Sequence, residues 1–394
     1  LPKSARGGQT VAHPVQLIDV IPTIAKLTGA SPRTQLAGVS LLDEPPQARR
    51  IYSETMLPLI HFGWSGLRSL VDARHHFIEA PRSEVYDVVE DPREQTNVAS
   101  SERRVLADMR GAIAQHASEL AQPTNVDPEE AAKLAALGYL GQVRSGAESG
   151  ALPDPKDRID ELEQLKAASE LERRGELQAA IAKYASIVAT NPRFADAWLR
   201  MAGAQEKAGR PEDAIRSYRQ ALQVAPVLVQ QIAGSLASLY LRLGQFAQAE
   251  SHARLMLKAQ PGAATVLLAT IAIQQGKPAD ALRLLDAFRQ STTAPVLDLE
   301  STRGDALARM ERVPEAEAAF RQEIAAFPNN REAYTRLAVL YAMLGRANDA
   351  ENTLQRMFDA NRSASTAQLA AETWNVMENR SAAARWKERA ARVQ

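Results

Sequence analysis

Six histidines, His13, His61, His75, His76, His116 and His252, are the side chains best suited to bind a metal or move a proton near neutral pH. None stands in a His-Glu-x-x-His or related ligand spacing. His75 and His76 are adjacent, and on a strand they point to opposite faces, so they do not read as a joint metal site. His116 and His252 fall in amphipathic helical stretches, where packing or solvent contact accounts for them. His61-Phe-Gly-Trp-Ser65 differs. It lies between two strand-like runs and reads as a loop with an exposed indole and a titratable ring, and loops at strand ends often carry function. Paired acids at Glu90-Asp91 and Glu129-Glu130 suit a turn and a helix start. Arg49-Arg50 and Arg103-Arg104 read as solvated surface. No glycine-rich phosphate cradle occurs. With no cysteine in 394 residues, thiolate nucleophiles, thiolate zinc sites and disulfides are excluded for this sequence.

The elements that must position these residues fall into two textures. In residues 1–120, Val15 to Gly29 reads as a capped helix with Asp19 at its N-cap, Pro22 early and Gly29 at its stop. Arg50–Thr55, Gly66–Val71, His75–Glu79 and Glu84–Val88 read as strands, with Asp72-Ala73-Arg74 closing a hairpin. A helix follows over 101–120, capped by Ser100 or Ser101, with Val105, Met109, Ala112, Ile113 and His116 on one face. Residues 121–157 are rich in Gly and Pro and read as a linker, with one short helix from Pro128 to Leu137. Residues 158–394 are almost wholly helix-forming.

This last region repeats. Ala180, Ala214, Ala249, Ala281, Ala316, Ala350 and Ala384 are spaced 34, 35, 32, 35, 34 and 34 residues apart. Four positions on stand Tyr184, Tyr218, Ala253, Leu285, Phe320 and Leu354. Five positions before stand Gly175, Gly209, Gly244, Gly276 and Gly345. A small residue with its i+4 neighbour marks one helix face, the glycine ends the preceding helix in a left-handed turn, and Pro192, Pro226, Pro261 and Pro328 stop the second helix. Such a helix–turn–helix buries its face only by stacking on its neighbours. Balanced charge (47 basic and 47 acidic residues) argues against a broad basic surface for nucleic acid, and no run of about 18 apolar residues spans a membrane. Leu1 opens the sequence without a signal peptide, so the chain reads as a piece of a longer protein or a processed form.

Trp198, Ala202, Ala214, Tyr218, Ala221 and Pro226, and again Tyr334, Leu337, Ala338, Tyr341, Gly345 and Ala350, resemble the tetratricopeptide repeat framework, giving about seven units. Departures are Glu311 in place of glycine in the fifth unit, a short fourth interval, and Glu388 in place of the bulky residue in the seventh, as in a polar cap. The resemblance implies a curved all-α solenoid whose inner face includes Asp196, Leu199, Gln231, Ser238, Asp298, Ser301, Asp305, Glu332 and Thr335. That face is mixed and mildly acidic, without the Lys/Asn cluster that clamps a C-terminal carboxylate. It implies a protein or peptide partner in the groove, unless the linker or the first region fills it.

Val15-Gln-Leu-Ile-Asp-Val-Ile-Pro-Thr with Gly29, Gly38-Val-Ser-Leu-Leu42, and Glu84-Val-Tyr-Asp-Val-Val-Glu-Asp-Pro-Arg-Glu-Gln-Thr-Asn97 resemble, in order, the C-terminal part of a sulfatase-type domain of the alkaline phosphatase superfamily. The resemblance implies an α+β remnant over residues 1–120, the end of an α/β domain with its small antiparallel sheet. It implies a longer parent hydrolysing sulfuric or phosphoric esters at a divalent, calcium-type metal, in a bacterium and outside the cytoplasm. The family's nucleophile and metal ligands lie mostly in its N-terminal part, so no catalytic residue, metal ligand or cofactor is assigned here, and the chain itself is expected to be inert. In that setting His61, Trp64 and Arg68 border the parent's pocket, with Arg68 facing a sulfate or phosphate oxygen. The alternative is that Trp64 packs between two subdomains and His61 caps a turn. Two function readings stand: a sulfatase-like hydrolase fused to an interaction module, or a non-catalytic repeat scaffold with a degenerate sulfatase-like region. Without most of its sheet, the helix at 19–28 lacks a partner, so residues 1–45 are expected to be protease-sensitive.

Overall fold

A computed structural model describes residues 13–116, apart from 32, 35, 37, 44, 45 and 47, and residues 152–393. The expected helix at 128–137 and most of the linker lie outside the described residues. Contacts divide the chain into two units, Leu1–Val227 and Leu228–Gln394.

The first unit opens with a 3-10 turn, Leu17–Asp19, running into α1 (Val20–Thr28), which stops at Gly29 with φ 68°. Asp19 is not the side-chain cap that the sequence suggests. Its carboxylate is fully buried and turns back to accept from the N–H groups of Gln16 (2.9 Å) and Val39 (3.0 Å) and from the Arg49 guanidinium (2.6 Å and 2.7 Å). Burial pushes its pKa up, but these donors outweigh burial and hold it below the usual value. The apolar stripe of α1 is bare: Ile21 is 62 % exposed and Ile24 54 %.

Four strands, β1 (Ile51–Thr55), β2 (Leu67–Val71), β3 (His75–Glu79) and β4 (Glu84–Asp87), form an antiparallel sheet in chain order. Asp72 closes the expected hairpin by accepting from the N–H groups of Arg74 and His75. Alternation puts Leu70, Phe77 and Val85 on one face. There they meet Met109 and Ile113 of α3 (Arg103–Ile113), which starts later than the sequence suggests and gives way to a turn at 114–116, so His116 does not lie on the helix. Asn97 accepts from the Val85 N–H at 3.1 Å and so ties the segment after β4 back to the sheet.

Between β1 and β2 the chain forms a helix, α2 (Leu57–Phe62), and not a loop. Pro58 in its first turn and Gly63 at φ 69° bound it. Asp154 Oδ2 accepts from the Arg82 N–H (3.1 Å), linking the start of the helical region to the sheet hairpin. Two helix pairs follow: α4 (Ile159–Arg173) with α5 (Leu177–Thr190), and α6 (Ala195–Lys207) with α7 (Pro211–Val224).

The second unit holds five more pairs. They are α8 (Val229–Arg242) with α9 (Phe246–Leu255), α10 (Pro261–Gln274) with α11 (Pro278–Ser291), α12 (Leu299–Arg309) with α13 (Val313–Ala326), α14 (Arg331–Met343) with α15 (Ala347–Ala360), and α16 (Ala364–Val376) with α17 (Arg380–Arg392). The phased alanines from Ala180 to Ala350 are all fully buried, as are Leu285 and Leu354 four residues after two of them. All five phased glycines have φ between 69° and 79°. Where glycine is missing, Glu311 (φ 59°) and Glu378 (φ 58°) take the same left-handed turn. The last unit departs from the sequence register. Ala382 and Ala383 are buried and Ala384 is exposed, while Trp386, not Glu388, supplies the bulk and bonds Glu351 through Nε1 at 3.1 Å.

Candidate interaction faces of the helical repeats

In the first unit, residues 57–65 lie against the first helices of both repeats. Trp64 is 2 % exposed, not an exposed loop aromatic. Gly63 turns the chain after α2 and delivers the indole inward, where its ring lies 4.8 Å from Phe62 and 5.9 Å from Phe194, with Phe62 and Phe194 5.2 Å apart. Its Nε1–H donates to Glu161 Oε2 of α4 at 3.3 Å. The same oxygen accepts from Asn191 Nδ2 (2.8 Å), which also donates to the Phe62 carbonyl (2.9 Å). The Ser65 N–H donates to the Pro153 carbonyl at 2.9 Å. Gly63 has no alternative here, because an added Cβ would stand 2.4 Å from Arg193 Cβ.

His61 and Asp196 were separate sequence candidates, one for a pocket and one for a repeat face. The structure brings them together: His61 Nδ1 lies 2.6 Å from Asp196 Oδ1 on α6. Arg68 is turned toward Glu79, its Nε donating at 2.5 Å, across the paired positions of β2 and β3. All three pocket candidates therefore make contacts inside the chain. Leu199, one turn beyond Asp196, is half-buried. What the sequence reading missed was α2, although Pro58 and Gly63 were its start and stop signals.

In the second unit, Gln231 and Ser238 are exposed on α8 and Glu332 is exposed on α14. Thr335 donates its hydroxyl to the Glu332 carbonyl (2.9 Å). Arg336 bridges two helices of this face, donating to Asp305 Oδ2 of α12 (2.7 Å) and to Glu332 Oε1 (2.6 Å). Burial pushes the Asp305 carboxyl up to about 6 against the pull of Arg336. Asp298 does not lie on a helix. It sits just before α12 at φ 65°, and Asn330 Nδ2 donates to it at 2.8 Å. Ser301 is fully buried.

The start of α12 is held from outside its own helix. Glu323 of α13 is fully buried and accepts from the N–H groups of Asp298 (2.8 Å) and Glu300 (3.1 Å), and from Asn330 Nδ2 (2.9 Å). A carboxylate at a helix N-terminus satisfies donors that the helix leaves unpaired. His252, buried, stacks on Tyr240 with ring centroids 5.4 Å apart.

For a metal, the described residues offer His75, Asp87 and Glu102, whose ligand atoms lie within 4.8 Å of one another. Asp87 is already committed. Its Oδ1 accepts from the N–H groups of Glu90 and Val89, and its Oδ2 from Arg74 Nε at 2.8 Å. The Glu90 N–H first, and the Arg74 guanidinium beside it, hold its pKa below the ordinary value. A guanidinium on the same oxygen opposes a second cation. Among the described residues, no helix is long and apolar enough to cross a membrane.

Residues 165–229, 235–295 and 301–365 match the family model described as Tetratricopeptide repeat. Among solved structures, a tetratricopeptide repeat protein from Parabacteroides merdae is 20 % identical, over 59 % of this chain and 93 % of that one, with a TM-score of 0.44. Pseudomonas aeruginosa pilF is 14 % identical over 54 % of this chain and 97 % of that one, with a TM-score of 0.39. YrrB, described as a tetratricopeptide repeat protein with an unusual peptide-binding site, is 18 % identical over 48 % of this chain and 97 % of that one, with a TM-score of 0.30. No curated protein matches the chain. The helical region of this chain is built of tetratricopeptide repeats, preceded by a small antiparallel four-stranded sheet.

Proposed function

We propose that the chain is a protein-interaction module, in which the first helices of the repeats in the second unit receive a protein or peptide segment. The observation that carries this reading is a contrast between the two units. In the first, the framework residue Asp196 is taken by His61 and the chain's own segment 57–65 lies on the first helices. In the second, the framework residues Gln231 and Ser238 of α8 and Glu332 of α14 reach solvent, while Ser301 is buried and Asp298 and Asp305 are bonded within the chain. The test is capture from an extract of the source organism by the full chain. Ser238→Arg with Thr335→Arg should lose the captured partner, and Arg283→Glu on α11, whose side chain is 79 % exposed, should keep it. Equal capture by all three forms would count against the first-helix face.

A second reading concerns residues 1–120. The ordered sulfatase-type motifs are supported by a four-stranded antiparallel sheet followed by a helix, and by the Glu84–Asn97 motif tied back through Asn97. In this reading a longer protein carrying these residues hydrolyses sulfuric or phosphoric esters with a divalent metal, and His61, Trp64 and Arg68 contribute through the packing of the sheet region, not by touching the ester. Hydrolysis of 4-nitrophenyl sulfate or phosphate by such a protein, lost on removal of divalent metal, is the expected result. No hydrolysis of either ester leaves the scaffold role alone.

A further inference from the structure

Residues 292–298 join α11 to α12, where 191–194 and 327–330 make the equivalent connections in other repeats. The longer loop is pinned, not loose. Val296 lies against α10, where a Cβ on Gly262 would come 2.8 Å from it, and the Leu299 N–H donates to the Val296 carbonyl. Its extra length leaves a cleft of about 270 Å³ between the second helices α11 and α13, with Val296, Leu299, Ala326 and Phe327 among its apolar walls. That volume is below the roughly 300–1,000 Å³ of drug-sized ligand pockets and suits one side chain.

Glu300 lines the cleft and is 8 % exposed. Its Oε1 receives only a long contact from Arg289 Nη1 at 3.5 Å, and its Oε2 has no hydrogen-bond partner. Arg303 Nη1 stands 3.9 Å from Oε2, outside bonding distance, while Arg303 Nε donates to Asp286 at 2.7 Å. The carboxylate as a whole is short of close donors, which is costly for a buried group, so a ligand that supplies one is favoured. The other carboxylate in the wall, Glu323, is saturated by its three close donors. The lining carries two carboxylates and one guanidinium, Arg289, with the Arg303 guanidinium behind Glu300.

We propose that this cleft binds a primary ammonium on an aliphatic stem, the lysine side chain of a partner segment, with the ammonium donating to the Glu300 carboxylate and the methylenes lying along Val296 and Phe327. The site is independent of the first-helix face, because second helices and their connecting loop build most of it. The probe is n-butylammonium chloride, with 1-pentanol as its neutral counterpart, titrated into the full chain while the Val296 methyl and Phe327 ring NMR signals are followed. Saturable shifts with n-butylammonium at a Kd at least tenfold below that of 1-pentanol are expected. Glu300→Gln should weaken ammonium binding at least fivefold, and Arg289→Ala, which removes the competing cation, should tighten it. If Glu300→Gln fails to fold, the Arg289→Ala and 1-pentanol comparisons still decide. Equal binding of the alcohol, an unchanged Kd in Glu300→Gln, or no saturable shift would overturn the proposal.

Discussion

One buried carboxylate holds the start of a repeat helix from outside it. Glu323 holds the start of α12 through N–H groups of a neighbouring segment and an Asn side chain. Glu323→Gln keeps the shape but sets an NH2 against N–H donors. We expect it to lower the stability of the second unit by about 2 kcal/mol, read from the Trp374 and Trp386 fluorescence during urea unfolding. The left-handed turns make a second test. Glu311 adopts φ 59° where its counterparts are glycine, and a non-glycine residue there costs about 1 kcal/mol, partly offset by the entropy glycine gives up. Glu311→Gly should raise stability by about 0.5 kcal/mol in the same assay. Asp305 gives a pH signature. Its carboxyl titrates near 6 in the fold against an ordinary 3.8, so the folded state holds the proton more readily. Its contribution is therefore most favourable below pH 3.8 and declines as pH rises toward about 6. The stability of the native chain relative to Asp305→Asn should fall through that window and level off above it.

At the scale of elements, the sequence exposed what repeats and hid what happens once. Phased alanines and glycines recur because small residues at close helix crossings and left-handed stops are local requirements. Trp64 carried no periodic signal. Its burial depends on Phe194 and Glu161, far along the chain, so a loop between strands was a fair inference from neighbours alone. The last repeat was out of register for a related reason: Trp386 at one position and Glu388 two residues later both fit a terminal helix, and only packing on Glu351 and Phe358 chooses. The docking of α2 has its own test. Gly63→Ala combines a φ of 69° with a clash against Arg193, so it should expel Trp64. The expected result is a red-shifted tryptophan emission and rapid proteolysis within 57–65. Unchanged emission and resistance would show that the segment is not held by this contact.

At the scale of the whole molecule, two units meet different fates for the same framework. The sheet and the first two repeats close on themselves, with segment 57–65 covering residues of α4 and α6. The remaining repeats keep the polar framework residues Gln231, Ser238 and Glu332 in water, on α8 and α14. The most direct test replaces Thr335, and in parallel Arg283, by a photoreactive p-benzoyl-phenylalanine in the full chain and irradiates in cells. A specific protein adduct from position 335, absent from position 283, is the predicted result. Adducts of equal pattern from both positions, or none from 335, would contradict recognition by the first-helix face.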